Sequence, residues 1–133
     1  MLAKPRFNSD SPDSNNAQPQ PHVDVELFRA DLREAGVEEM IGDLLDTFMQ
    51  DAPARFAAFE EAARSSDAKA IATAAHAFKS SAATIRASAL SEMLYRAEVA
   101  GRTNSLDSLA ELLEQIRTEH LAVLRELEAT HPR

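Results

Sequence analysis

From residue 23 onward, apolar side chains return at steps of three and four residues, and little interrupts that period. Such spacing lays one apolar stripe along each helix, and a striped helix must bury it against other elements. The second helical run shows the pattern best. Val37, Met40, Ile41, Leu44, Leu45, Phe48, Met49, Ala52, Phe56 and Phe59 share one stripe, predicted to begin near Val37. Pro53 lies inside it, where it removes one backbone hydrogen bond and crowds the preceding turn. Because the stripe continues in phase, the expectation is one helix bent near Met49 rather than two. With only three glycines in the chain, there is little material for turns between strands.

The other helices follow from their start and stop signals. Asp24 suits the N-cap of a short first helix bearing Leu27, Phe28 and Leu32, which ends near Gly36. Asp67 suits the cap of a third helix with Ile71, Ala75, Phe78, Ala82 and Ile85 inward. After a break at residues 86–88, a fourth presents Leu90, Met93, Leu94, Ala97 and Ala100 and is expected to end at Gly101. Ser105 is then expected to cap the last helix, with Leu109, Leu113, Ile116, His120, Val123 and Leu127 along its seam. Short connections favour antiparallel neighbours. The fold expected is therefore all-α: an up-down-up-down four-helix bundle over residues 23–130, with an additional short N-terminal helix across one end. Residues 1–22 are rich in Pro, Ser, Asn, Asp and Gln and read as a disordered tail.

Composition narrows the function. There is no cysteine, so disulfides, thiolate metal sites and cysteine nucleophiles are excluded. Fourteen basic against twenty-two acidic residues give a net charge of -8, which argues against nucleic acid and anionic membranes as partners. Neither a signal peptide nor a membrane span is legible, and a reducing cytoplasm is the expected compartment. No phosphate-binding loop, paired acid and base, nucleophile triad or clustered metal-ligand set is visible, so an enzyme with its own substrate pocket, a cofactor or a metal is not expected.

One histidine stands apart. Each helical residue advances roughly 100° around the axis, which puts the third helix's apolar stripe roughly 220° away from His76. His76 is therefore predicted to face solvent, among Ala72, Thr73, Lys79, Ser80 and Ala83, with Lys69 further towards the N-terminus. Short neighbours leave a ring nitrogen accessible to a docking partner, and imidazole, with a reference pKa of about 6.5, is substantially nucleophilic near neutrality. Lys79, one turn on, can set its ammonium beside phosphoryl oxygens, and Ser80 can donate a hydrogen bond. Spacing alone carries little weight here, because a histidine followed at i+3 by a lysine is common on solvated helix faces.

The run Ala75-His76-Ala77-Phe78-Lys79-Ser80-Ser81-Ala82-Ala83-Thr84-Ile85 resembles the signature of histidine phosphotransfer (HPt) domains. Downstream, Ala87, Leu90, Met93, Leu94, Ala97 and Glu98 are similar to that family's fourth helix. Upstream, Leu44-Leu45-Asp46-Thr47-Phe48 with Pro53, Phe56, Phe59 and Ala63 is similar to its second, and Val23-Asp24 to its usual entry. The resemblance implies a phosphoryl carrier without turnover of its own, which relays phosphoryl groups between response-regulator receiver domains in a two-component phosphorelay. It places the phosphorylated residue on His76 and the supporting lysine on Lys79. Receiver domains and a hybrid sensor histidine kinase are the implied partners, the implied magnesium belongs to the receivers, and a monomer is expected. Ser80 and Arg86 stand where the family commonly has glycine. Lys69, Lys79 and Arg86 are expected to form a basic strip beside His76 that meets the acidic pocket of a receiver.

Other readings remain open on the residues alone. A non-catalytic helical adaptor would dock receivers without phosphorylation, and a chemotaxis-type kinase module would carry an attached ATP-binding domain, for which this chain is too short. His120 is expected at a core edge with its polar tip wet, His22 and His131 at flexible ends, and Glu98 as a cap or an internal pair.

Overall fold

The structure is a computed structural model and describes residues 21–130. Five α-helices follow one another: α1 (Val25–Glu34), α2 (Ile41–Arg64), α3 (Ala68–Thr84), α4 (Ser88–Arg102) and α5 (Leu109–Thr130), with a 3₁₀ turn over Glu38–Met40 ahead of α2. Helices α2 to α5 form the antiparallel bundle, each packed on two others, and α3 lies closest against α4. Helix α1 rests on the 3₁₀ turn and on α2. Among the described residues there is no strand, and no helix is long and apolar enough to cross a membrane.

The N-caps form where aspartate was expected. Asp24 accepts from the Leu27 amide at 3.0 Å and Asp67 from the Ala70 amide at 3.1 Å, each satisfying a donor that has no partner within the helix. Helix α2 runs unbroken through Pro53. Its core face is Leu45, Phe48, Met49, Ala52, Phe56, Phe59 and Ala62. With Phe28, Ile71, Phe78, Leu90, Leu94, Ile116, Val123 and Leu127 these fill one continuous interior, where a fully buried large apolar side chain contributes about 1.5–3 kcal/mol.

Four helix ends close in the same way. A residue in the left-handed region follows the helix, its amide and the next one reaching back to two late carbonyls: Gly36 and Val37 to Arg33 and Leu32, Ser66 and Asp67 to Ala63 and Ala62, Arg86 and Ala87 to Ala83 and Ala82, Asn104 and Ser105 to Gly101 and Ala100. Only the first of these uses glycine. Arg86 therefore occupies a left-handed turn, φ 66°, that glycine would occupy without strain.

Several boundaries differ from the sequence reading. The stripe drawn from Val37 begins too early, because the 3₁₀ turn winds at about three residues per turn and throws Met40 out of phase, leaving it 42% exposed. Leu27 is likewise on the outer face of α1. Helix α4 does not end at Gly101 but includes it, buried. Ser105 does not cap α5, because its amide closes the end of α4 and α5 starts at Leu109. His22 is no loose end: its Nδ1 lies 2.7 Å from Glu119, and the His22 and Val23 amides donate to the Glu126 carboxylate at 3.1 and 2.8 Å. Residues 1–20 of the expected tail, and His131, lie outside the described residues.

Candidate functional site

Helix α3 turns Ile71, Ala75, Phe78 and Ala82 fully inward, so the opposite face carries His76. Its side chain is 55% exposed. Around it, Thr73, Ser80, Ala83 and Lys69 are exposed, while Ala72 and Lys79 are partly covered. The ring thus stands above short neighbours, and a hollow lined by Ala72, Thr73, His76, Glu98 and Arg102 opens beside it.

The side of the ring turned towards α4 is fixed. His76 Nδ1 lies 3.0 Å from Glu98 Oε2, and Lys79 Nζ lies 2.8 Å from Glu98 Oε1. Arg102, one turn further along α4, pairs with the same carboxylate. Glu98 itself is fully buried. Burial pushes its carboxyl upward, but the bonds from Lys79 and His76 and the charges of Lys79 and Arg102 outweigh that and hold it below the ordinary carboxylate value. An ionised Glu98 accepts a hydrogen bond and does not donate one, so Nδ1 carries the ring proton and the lone pair of neutral His76 is left on Nε2. Across the imidazole the two nitrogens point in nearly opposite directions, and Nε2 faces away from α4.

Glu98 can reach His76 because α3 and α4 approach closely at Gly101. A Cβ there would lie 2.7 Å from the Ala68 carbonyl oxygen and 2.7 Å from the Ala72 nitrogen. The missing side chain lets the last turns of α4 lie directly against the first turns of α3, beside His76. Sequence reasoning left Glu98 as a cap or internal pair and did not single out Arg102. A signal existed: Leu94, Ala97, Glu98 and Gly101 lie on the inward face of α4, and a carboxylate on an inward face requires cations around it.

The expected basic strip does not form as three free charges. Arg86 lies ten residues past His76, roughly 15 Å along the helix axis, and its guanidinium grips Asp31 of α1 at 2.7 and 3.0 Å. The hydrogen bond from Arg86, with its charge, holds the Asp31 carboxyl below its ordinary value against the effect of burial. Lys79 is engaged by Glu98, and Lys69 alone of the three makes no ion pair among the described residues.

His120 is a core residue rather than a wet edge. It is 4% exposed, stacked on Phe56 at 5.0 Å between ring centroids and edge-on to Phe78 at 5.6 Å, and its Nδ1 has no hydrogen-bond partner. Burial pushes its pKa down. No group of three or more potential metal ligands occurs among the described residues.

The profile of the Hpt domain matches residues 43–129, which include α3, α4 and nearly all of α2 and α5. The chain belongs to the Hpt domain family. Among solved structures, the histidine-containing phosphotransfer protein B of Pseudomonas aeruginosa is similar to this Hpt domain at 28% identity and a TM-score of 0.75, with 85% of this chain and 96% of that one covered. Among curated protein sequences, none matches.

Proposed function

We propose that this Hpt domain is a phosphoryl carrier that relays between receiver domains, with His76 Nε2 as the atom that bears the phosphoryl group. The observation that carries the reading is the division of the ring: Nδ1 held by buried, ionised Glu98, and Nε2 turned to the accessible side. In the forward step the Nε2 lone pair attacks the phosphorus of a receiver's aspartyl phosphate. The N–P bond forms as the acyl O–P bond breaks, and the electron pair leaves with the receiver's carboxylate. The ring then carries positive charge, which Glu98 stabilises through the Nδ1 proton. Lys79 exchanges part of its hold on Glu98 for the arriving phosphoryl oxygens. Reversal onto another receiver's aspartate completes the relay. Thr73, Ser80 and Ala83 leave room for the partner, and Ala72 forms the floor between His76 and α4.

This chain contributes a nucleophile and its setting, not a turnover site. The magnesium of the reaction, the hybrid sensor kinase upstream, the cytoplasmic location and the monomeric state belong to the same reading, with family membership as their support. The test is incubation with a phosphorylated receiver domain. Wild type should gain an acid-labile, base-stable phosphate mapping to His76, and His76→Gln should fold normally and gain none. A variant labelled like wild type would place the site elsewhere.

A further inference from the structure

Resting on the reading of His76 as phosphoacceptor, we infer that Tyr95 of α4 is a positioning residue for that chemistry: its ring face keeps the Lys79 ammonium at the site instead of letting it swing into solvent. Helices α3 and α4 are antiparallel neighbours, so three residues forward on α3, from His76 to Lys79, match three residues back on α4, from Glu98 to Tyr95. Two contacts are thereby stacked one turn apart. His76 Nδ1 meets Glu98 at 3.0 Å, and Lys79 Nζ lies over the Tyr95 ring, 5.3 Å from its centroid. The same ammonium is 2.8 Å from Glu98 Oε1, so it sits between a carboxylate and an aromatic face.

The place of the tyrosine is not explained by the core. Tyr95 is 47% exposed, and its hydroxyl makes no hydrogen bond among the described residues. What its ring does is cover the lysine, whose side chain is only 24% exposed.

That cover matters when a phosphoryl group arrives. Lys79 must then loosen from Glu98, and Arg102, which pairs with the same carboxylate, keeps Glu98 from being left buried without a cation. The freed ammonium has two destinations, the phosphoryl oxygens or water, and a lysine stem has the rotamer freedom to reach either. An aromatic face attracts a cation through its quadrupole and carries no net charge. It therefore restrains the ammonium without competing for it against a phosphoryl anion, as a second carboxylate would. Tyr95 acts on the reaction through Lys79.

The test measures the rate of His76 labelling by phosphoramidate, a small donor that needs no docking, and by a phosphorylated receiver domain. With phosphoramidate the bond from Nε2 to phosphorus forms as the donor's own P–N bond breaks, and ammonia leaves with the electron pair. Tyr95→Leu should label roughly two- to fivefold more slowly with either donor, the size of one exposed cation–π contact, and Tyr95→Phe, which keeps the ring face, within about 1.5-fold of wild type. Lys79→Met should lose roughly tenfold or more, and adding Tyr95→Leu to it should change the rate by less than about 1.5-fold, because the tyrosine then has no ammonium to place. The Lys79 Cε protons should resonate upfield of their ordinary position in wild type and in Tyr95→Phe, and move back towards it in Tyr95→Leu. Wild-type labelling in Tyr95→Leu, or an equal loss from that change with and without Lys79, would overturn the inference and leave His76 as phosphoacceptor. Labelling of wild type by phosphoramidate but by no receiver would overturn the relay and leave the role of Tyr95 to its own variants. Absence of label on wild-type His76 from both donors would overturn both.

Discussion

Replacing Gly101 by alanine adds one methyl group at the tightest approach between α3 and α4. That carbon would sit 2.7 Å from both the Ala68 carbonyl oxygen and the Ala72 nitrogen, and 3.0 Å from the Ala72 Cβ. Comfortable contacts of carbon with its neighbours begin near 3.5 Å, so the helices must part by several tenths of an ångström. The two nearest atoms belong to backbone, which cannot swing aside as a flexible side chain would. Overpacking of this kind costs about 1–3 kcal/mol. Against it stands a gain of about 0.5–1 kcal/mol, because alanine is the better residue within a helix. The net expectation is a loss of about 0.5–2 kcal/mol, lowering the melting temperature by roughly 2–10 °C for a domain of this size. Urea denaturation and thermal melts followed by circular dichroism measure it, and Gly101→Val should be worse than Gly101→Ala. Equal or higher stability in the alanine variant would mean that helix propensity outweighs the contact, and that the close approach does not need a glycine.

Two further variants probe the site and the core. Glu98→Leu should slow phosphoryl transfer from a receiver by roughly a hundredfold, and Glu98→Gln, which keeps an acceptor for the Nδ1 proton, by less than about tenfold. Nitrogen NMR of the His76 ring should show the proton on Nδ1 in wild type and a tautomer mixture in the leucine variant, so an unchanged ring spectrum in that variant would refute the positioning role. Because burial depresses the pKa of His120, the unfolded chain binds a proton that the folded one refuses, and stability should fall as pH drops below about 6.5, until the folded imidazole itself titrates. His120→Phe preserves the stack on Phe56 and removes this component, so the loss of stability between about pH 7.5 and about pH 5.5 should be smaller in the variant. Identical losses would assign the acid sensitivity to other groups.

What was legible in the sequence was periodic or local. The bundle, the aspartate caps of α1 and α3, the continuity of α2 through Pro53 and the outward placing of His76 all follow from the helical period and from cap chemistry within three residues. What was not legible depends on contacts between helices. Gly101 reads as a helix stop, because glycine commonly ends helices, yet its role is set by Ala68 and Ala72 of a different helix. The ends of α2, α3 and α4 use Ser66, Arg86 and Asn104 in the left-handed region, so no glycine marks them. Arg86 looked like a free charge near His76, but its partner, Asp31, is 55 positions away in the chain. His120 looked amphipathic, and only the tertiary fold shows Phe56 and Phe78 closing around it.

The buried carboxylate explains why the two flanks of His76 are built so differently. On the α4 side, Glu98 holds His76, Lys79 and Arg102 at once, so a change in helix spacing alters the proton position, the lysine and the arginine together. That side tolerates little, and Gly101 sets its spacing. On the α2 side no hydrogen bond or ion pair among the described residues holds the ring, and an open hollow of ≈ 310 Å³ lies between α2 and α3. A change there leaves the Nδ1 contact with Glu98 undisturbed. On the proposed relay, one imidazole separates chemistry from recognition: its Nδ1 edge is constrained by the interior, and its Nε2 edge is left to the partner.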